Sequence, residues 1–235
     1  MRVAAVKAQP SERAVETILA QVTPRTRLIA LSHVSWQTGN LLPVEEIQDA
    51  TDLPMLVDGA QSAGAIAVEA ARYDFYTVSG QKWLCGPDAT GGLYVREPEA
   101  LQVALPTYFS QDGYGESGTF TPKSGAARFD SGWIPTPSLA GLEAALGTAP
   151  HWAAHHGTEI SARCWTLLAN RFEVVTAPGQ ANLVSFVPEG DPAEIARRLF
   201  EYGIVVRDMP GTGWLRISCG WWTSDEDLER LLASL

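Results

Sequence analysis

MLVDGAQSAG (residues 55–64) and YTVSGQKWLCGP (residues 76–87) decide how this chain is read. Each opens as an apolar run of strand length and closes in a polar, glycine-containing turn. The first turn carries Asp58 and the second Lys82. A carboxylate at one strand end and a lysine at the next point to a shared pocket at the edge of a parallel sheet, where open α/β sheets bind ligands. Working outward, RLIALSHV (27–34) is a further strand, and Pro43 opens a helix at PVEEIQDA (43–50), where proline suits the first turn. DFYTVSG (74–80) is the next strand, and GGLYVRE (91–97) turns back as an antiparallel partner. RVAAV (2–6) reads as a short strand and SERAVETILAQV (11–22) as a helix. Near-continuous apolar strands with helical connections predict a mainly parallel sheet covered on both faces.

The second half changes pattern. FEVV (172–175), NLVSFVP (182–188), IVVRDMP (204–210) and WLRISCGWW (214–222) read as strands, and DPAEIARRLFEYG (191–203) and SDEDLERLLASL (224–235) as helices with acidic first turns. A long helical region from Pro137 to Asn170, broken near Pro150 or Gly157, connects the halves. Residues 105–135, including SQDGYGESGTFTPKSG (110–125), show no period and are expected to be an irregular loop, either functional or poorly ordered. The expected fold class is α/β. Residues 1–136 form part of a large domain, and 137–235 the connecting helix and a small C-terminal α+β domain.

The 235 residues are 46% apolar and 19% charged, the balance of a globular protein with a sizeable core. A net charge of −10 disfavours nucleic-acid binding. No apolar run approaches the roughly 20 residues of a membrane span, and none at the start resembles a secretory h-region. Three widely spaced cysteines, Cys85, Cys164 and Cys219, fit a reducing cytoplasm and make neither a disulfide framework nor a zinc site. The histidines of HWAAHHGTE (151–159) read as a solvated helix face, since no cysteine joins them as a metal ligand.

The Lys82–Asp58 pair suits pyridoxal phosphate (pyridoxal 5'-phosphate, PLP). A lysine amine forms an imine with the cofactor aldehyde, and an aspartate keeps the ring nitrogen protonated. Taken together, SHVSWQTG, VDGAQSAG, SGQKWLCGP, RFDSG and RISCGWWTSDEDLERL resemble the class V aminotransferase family of fold-type I PLP enzymes. That family includes cysteine desulfurases and isopenicillin N epimerase-like proteins. The resemblance implies a Schiff base on Lys82, which also shuttles protons, and a ring-nitrogen partner in Asp58. It implies a ring-hydroxyl contact from Gln61, a phosphate contact from Ser79 and a place near the ring for His33. Arg216 matches the arginine that captures the substrate α-carboxylate, forking onto it with two hydrogen bonds. The implied activity is transformation of an α-amino acid by transamination, C–S lysis or epimerisation, in a homodimer whose 110–127 loop reaches the partner's site.

Three departures bear on these expectations. VVRDMPGTGWLRIS (205–218) holds no cysteine where desulfurases carry their nucleophile, so persulfide chemistry is disfavoured. Trp36 and Gln81 replace the asparagine and histidine usual in that branch. The family's long amino-terminal segment has no counterpart here, so the chain is expected to be a fragment, a miscalled start or half of a split enzyme, with weak cofactor affinity. A catalytically inactive copy that binds a full-length partner is the non-enzymatic alternative. A nicotinamide-dependent dehydrogenase is disfavoured because no G-x-G-x-x-G follows a first strand.

Overall fold

A computed structural model describes residues 13–133 and 135–235. The RVAAV segment lies outside the described residues. The first sheet has the order β1 (Ile29–Ser32), β2 (Met55–Asp58), β3 (Phe75–Ser79), β4 (Gly91–Val95). β1, β2 and β3 run parallel, and β4 pairs antiparallel with β3, as GGLYVRE predicts. The register sets Ser32 beside Asp58 and Asp58 beside Thr77.

Helices α1 (Ala14–Leu19) and α2 (Val44–Asp49) cover one face of this sheet. Their apolar residues recur at helical spacing, Ala14 with Ile18 and Val44 with Ile47, and pack on Ile29, Met55, Val57 and Tyr76. The expectation of cover on both faces is not met among the described residues. Alternation along the strands points Asp58 away from that core, and Asp58 and Leu93 are exposed.

The second sheet is antiparallel, in the order β7 (Glu173–Val174), β8 (Leu183–Val187), β10 (Trp214–Ser218), β9 (Arg207–Met209). Its helix-covered face packs α4 (Ala153–Ala169), α5 (Pro192–Glu201) and α6 (Asp225–Ser234) around Phe186, Leu199, Leu215 and Leu168, each completely buried. Both short helices start where the sequence supplies a cap. Asp191 accepts from the Ala193 N–H, and Ser224 forms a reciprocal box with Asp227.

The long helical region breaks at the first of its two expected places. α3 (Thr136–Thr148) stops before Pro150, and α4 begins at Ala153, so Gly157 lies inside an unbroken helix. α3 sets Leu142 against Gly80 and Gly86, on either side of Lys82, whereas α4 lies on the second sheet. The region expected to be irregular contains a hairpin, β5 (Gln111–Tyr114) with β6 (Phe120–Pro122). Gly118, at φ +78°, supports its turn, where the Gly115 N–H donates to the Thr119 carbonyl at 2.8 Å. Strands of four and three residues are too short to leave a periodic signal in the sequence.

A dense seam joins the two sheets. Val34, Ala65 and Trp83 of the first unit pack with Ala181 and Leu183 of the second. Around them the loop after β1 is bonded across the seam. The Ala177 N–H donates to Asn40 Oδ1 and the Leu41 N–H to Gln180 Oε1, both at 2.8 Å. Ser185 Oγ donates to the Gln37 carbonyl at 2.5 Å, and Thr176 Oγ1 to that of Thr38. Gly39 makes this approach feasible, since a Cβ there would sit 2.1 Å from the Leu183 carbonyl oxygen.

Candidate active site

The parallel strands deliver His33, Asp58 and the Ser79–Lys82 turn to one carboxyl edge of the sheet. The His33 N–H donates to the Asp58 carbonyl at 3.0 Å, and the Gly59 N–H to that of Thr77 at 2.9 Å, so adjacent strand ends are held in step. Gly59 is required there, because a Cβ would fall 2.1 Å from the Tyr76 ring.

Asp58 is oriented by its own turn. Its Oδ1 accepts from the Ala60 N–H at 2.9 Å and from Thr77 Oγ1 at 3.2 Å. Both bonds fall on one oxygen, which leaves Oδ2 as an acceptor on the exposed face of the sheet. Sequence reasoning missed Thr77. Only the parallel register puts its hydroxyl beside Asp58, and no motif spacing encodes that.

Lys82 is half-buried in the turn after β3. The turn closes on itself: the Cys85 N–H donates to the Lys82 carbonyl at 3.0 Å, and the Gly86 N–H to the Gly80 carbonyl at 2.8 Å. Cys85 holds φ +55°, in the left-handed region that non-glycine residues seldom adopt. Ser79 pairs with Gly91 at the end of β3, and its side chain is half-buried.

Gln61 lies in the turn after Asp58 and reaches the turn after β3. Its Oε1 accepts from Trp83 Nε1–H at 3.0 Å. Trp83 also escaped the sequence reading. An aromatic beside the lysine looks like ordinary core until the fold brings it against Gln61.

His33 goes elsewhere. Its Nδ1 bonds Tyr76 Oη at 2.9 Å, and Tyr76 Oη bonds Ser62 Oγ at 2.5 Å. Tyr76 points to the α1–α2 core, on the face opposite its neighbour Thr77. Burial lowers the His33 pKa, against a smaller raising effect of Glu45. Burial likewise pushes Tyr76 up to about 12. The His33 side chain is thus tied to Tyr76 and Ser62 beneath the strand ends, and no hydrogen bond joins it to the side chains of Asp58, Gln61 or Lys82 among the described residues.

Arg216 comes from the second sheet. Leu215 and Ile217 face its helices, so Arg216 faces the first unit, where its Nη1 donates to the Trp36 carbonyl at 2.6 Å. Its Nε is buried and has no hydrogen-bond partner. Burial lowers the Arg216 pKa, and Arg207, its cross-strand neighbour, adds to the shift. Among the described residues no carboxylate forms an ion pair with it. A buried, unmatched donor on a guanidinium is costly unless an acceptor completes it.

The donor set fits a pyridoxal group and an amino-acid carboxylate. It offers an amine, an oriented carboxylate, a carboxamide, a hydroxyl and a guanidinium with an unused N–H. The cysteines do not extend it. Cys219 is completely buried, its thiol raised by a bond to Cys164 and by burial, and Cys85, the exposed cysteine, is also raised by burial.

The family profile Aminotransferase class-V matches residues 1–231. Isopenicillin N epimerase of Streptomyces clavuligerus is 30% identical over 92% of this chain and 61% of its own length. A probable cysteine desulfurase of Pseudomonas aeruginosa is 33% identical over 90% of this chain and 58% of its own. The structure of the cystine C–S lyase C-DES, in complex with its reaction product cysteine persulfide, superposes with a TM-score of 0.83 at 30% identity, over 94% of this chain and 63% of that one. A C-DES mutant with glycine covalently linked to the PLP cofactor gives the same score at 29% identity. The chain spans about three-fifths of the length of these relatives. With the profile running nearly from end to end and the lyase fold superposing on both sheets, the chain belongs to the aminotransferase class-V family.

Proposed function

We propose that this chain carries the lysine, acid and carboxylate-binding parts of a PLP-dependent enzyme acting on an α-amino acid, of the aminotransferase, C–S lyase or epimerase type. One observation carries the reading. Arg216 is brought from the second sheet to the loop after β1 with its Nε buried and unpaired, on the side where Asp58 and Lys82 end their strands. The pyridoxal group, when bound, supplies an aldehyde for amine exchange and a ring that draws electrons from the substrate α-carbon.

The residues divide the remaining work. Asp58, its Oδ1 fixed by Ala60 and Thr77, accepts the ring N–H and keeps that nitrogen protonated. Gln61 and Ser79 bind the ring oxygen and the phosphate. Arg216 fixes the substrate carboxylate through its free N–H groups, which orients the α-carbon toward Lys82. The Lys82 amine then carries the α-proton. His33 serves by holding the strand ends through Tyr76.

The β9–β10 turn, residues 210–213, reads Pro-Gly-Thr-Gly, so a persulfide-forming cysteine is absent from that loop and desulfuration is the weaker reading. The exposed aromatics Tyr108, Tyr114 and Trp133 on the hairpin segment support a homodimer contact there. A cytoplasmic setting accords with the unpaired thiols, and no helix of the described residues is long and apolar enough to cross a membrane.

The test is near-visible absorbance of the purified chain titrated with PLP, beside Lys82→Ala. A new band present in the wild type and absent from the variant is expected. A band that survives in Lys82→Ala would overturn the role of the lysine. No band in either would favour the reading that this length of chain acts only as a binding partner.

A further inference from the structure

We propose that Trp83 is a positioning residue that sets the polarity of the Gln61 carboxamide, so that Gln61 meets its ligand as a donor to an oxygen atom; this rests on the cofactor-binding reading of Gln61 above. An indole nitrogen only donates, and a carboxamide has one end that accepts and one that donates. The bond from Trp83 Nε1 at 3.0 Å therefore selects the oxygen end of Gln61 and turns its NH2 group away from the indole. Without such a partner, the two ends are nearly equal in size and the amide has little reason to prefer one orientation.

Trp83 is itself immobilised. It is 7% exposed and packs with Val34, Ala65, Ala181 and Leu183, and its ring stacks on Trp222 at 6.3 Å. Gly64, in the turn that carries Gln61, abuts the Trp83 backbone, which a Cβ would meet at 2.9 Å. Three of these contacts, Ala181, Leu183 and Trp222, come from the second unit, so its docking is part of what holds the indole. Trp83 is also the residue directly after Lys82. The group that orients Gln61 is thus bonded to the residue that carries the reacting amine. The ligand atom such an amide recognises is an acceptor, which matches the ionised ring oxygen of pyridoxal phosphate and not a hydroxyl donor.

The experiment compares wild type, Trp83→Phe, Gln61→Leu and the double variant. Phenylalanine keeps an aromatic ring in the site but removes the fused pyrrole ring with its N–H, so the cycle with Gln61→Leu separates the lost hydrogen bond from the lost packing. Trp83→Phe is expected to weaken PLP binding about three- to tenfold, the value of one neutral hydrogen bond. It should also raise the pH midpoint of the Lys82-dependent band, since an oxygen deprived of a donor holds its proton more tightly. The double variant should be no weaker than Gln61→Leu alone, because Trp83 acts through Gln61. In the chain without PLP, Gln61→Leu should move the Trp83 indole N–H proton resonance. An unmoved indole resonance overturns the proposal, even if Trp83→Phe fails to fold. So does Trp83→Phe with wild-type affinity and midpoint, or additive losses in the double variant. Absence of the band in wild type sinks the cofactor reading and this inference with it, and is told apart because it appears before any variant is compared.

Discussion

The two sheets hold their charged residues in opposite ways. In the first, Asp58 stands at the open end of a strand, exposed, with one oxygen anchored and one free. In the second, Arg216 is pressed against the facing unit, anchored through Nη1 and left with a buried, unpaired Nε. Among the described residues, the first sheet packs α1 and α2 on one face and leaves Asp58 and Leu93 exposed on the other. The second closes a helix core on one face and gives the opposite one to the seam. Under the proposed function this difference would be a division of labour, with one unit presenting Asp58 and Lys82 at strand ends and the other, docked across the seam, carrying Arg216.

If docking is what delivers Arg216, breaking the seam should cost more than altering either site. Gly39→Ala, at φ +75° against the Leu183 carbonyl, should lose roughly 2–5 kcal/mol of stability in urea, from the left-handed backbone and the forced separation. Equal stability with and without the added methyl would show that the seam yields freely. Next in size is Arg216→Ala. Removal of charged hydrogen bonds should weaken amino-acid binding about ten- to a hundredfold while leaving PLP affinity unchanged. A parallel loss of PLP affinity would show that the guanidinium serves the cofactor.

Two smaller effects separate the cores by pH. The folded His33 pKa is lowered from 6.5, so the unfolded chain takes up a proton first as pH falls. Stability should therefore drop as pH falls below about 6.5, down to the lowered folded value, and His33→Gln should flatten that slope. In the second unit, the bond from the Ser224 N–H, then its hydroxyl, lowers the Asp227 pKa. This exposed cap is present above the unfolded aspartate value and is lost as pH falls through the folded one. Asp227→Asn should cost at most about 1 kcal/mol near neutrality and nothing once the pH lies well below the folded value. A cost that persists in acid would assign the effect to the amide and not the charge.

Much of this was legible because it is local. Apolar runs ending in glycine turns gave β1 to β4 and placed Asp58 and Lys82 at strand ends, and acidic first turns marked α5 and α6. The β5–β6 hairpin escaped, since strands of three or four residues have no period to read.

By itself, then, the sequence determined the strand–turn units, the acid and lysine they carry, and the family to which they belong. Those features follow from hydrophobic spacing and turn chemistry within a few residues. Only the tertiary structure decided that Thr77 orients Asp58, that His33 turns inward to Tyr76, and that Trp83 meets Gln61. It alone left Arg216 with an unanswered N–H. Each of these depends on strand register or on docking of residues far apart in the chain, and hydrogen-bond direction is fixed only when both partners are in place.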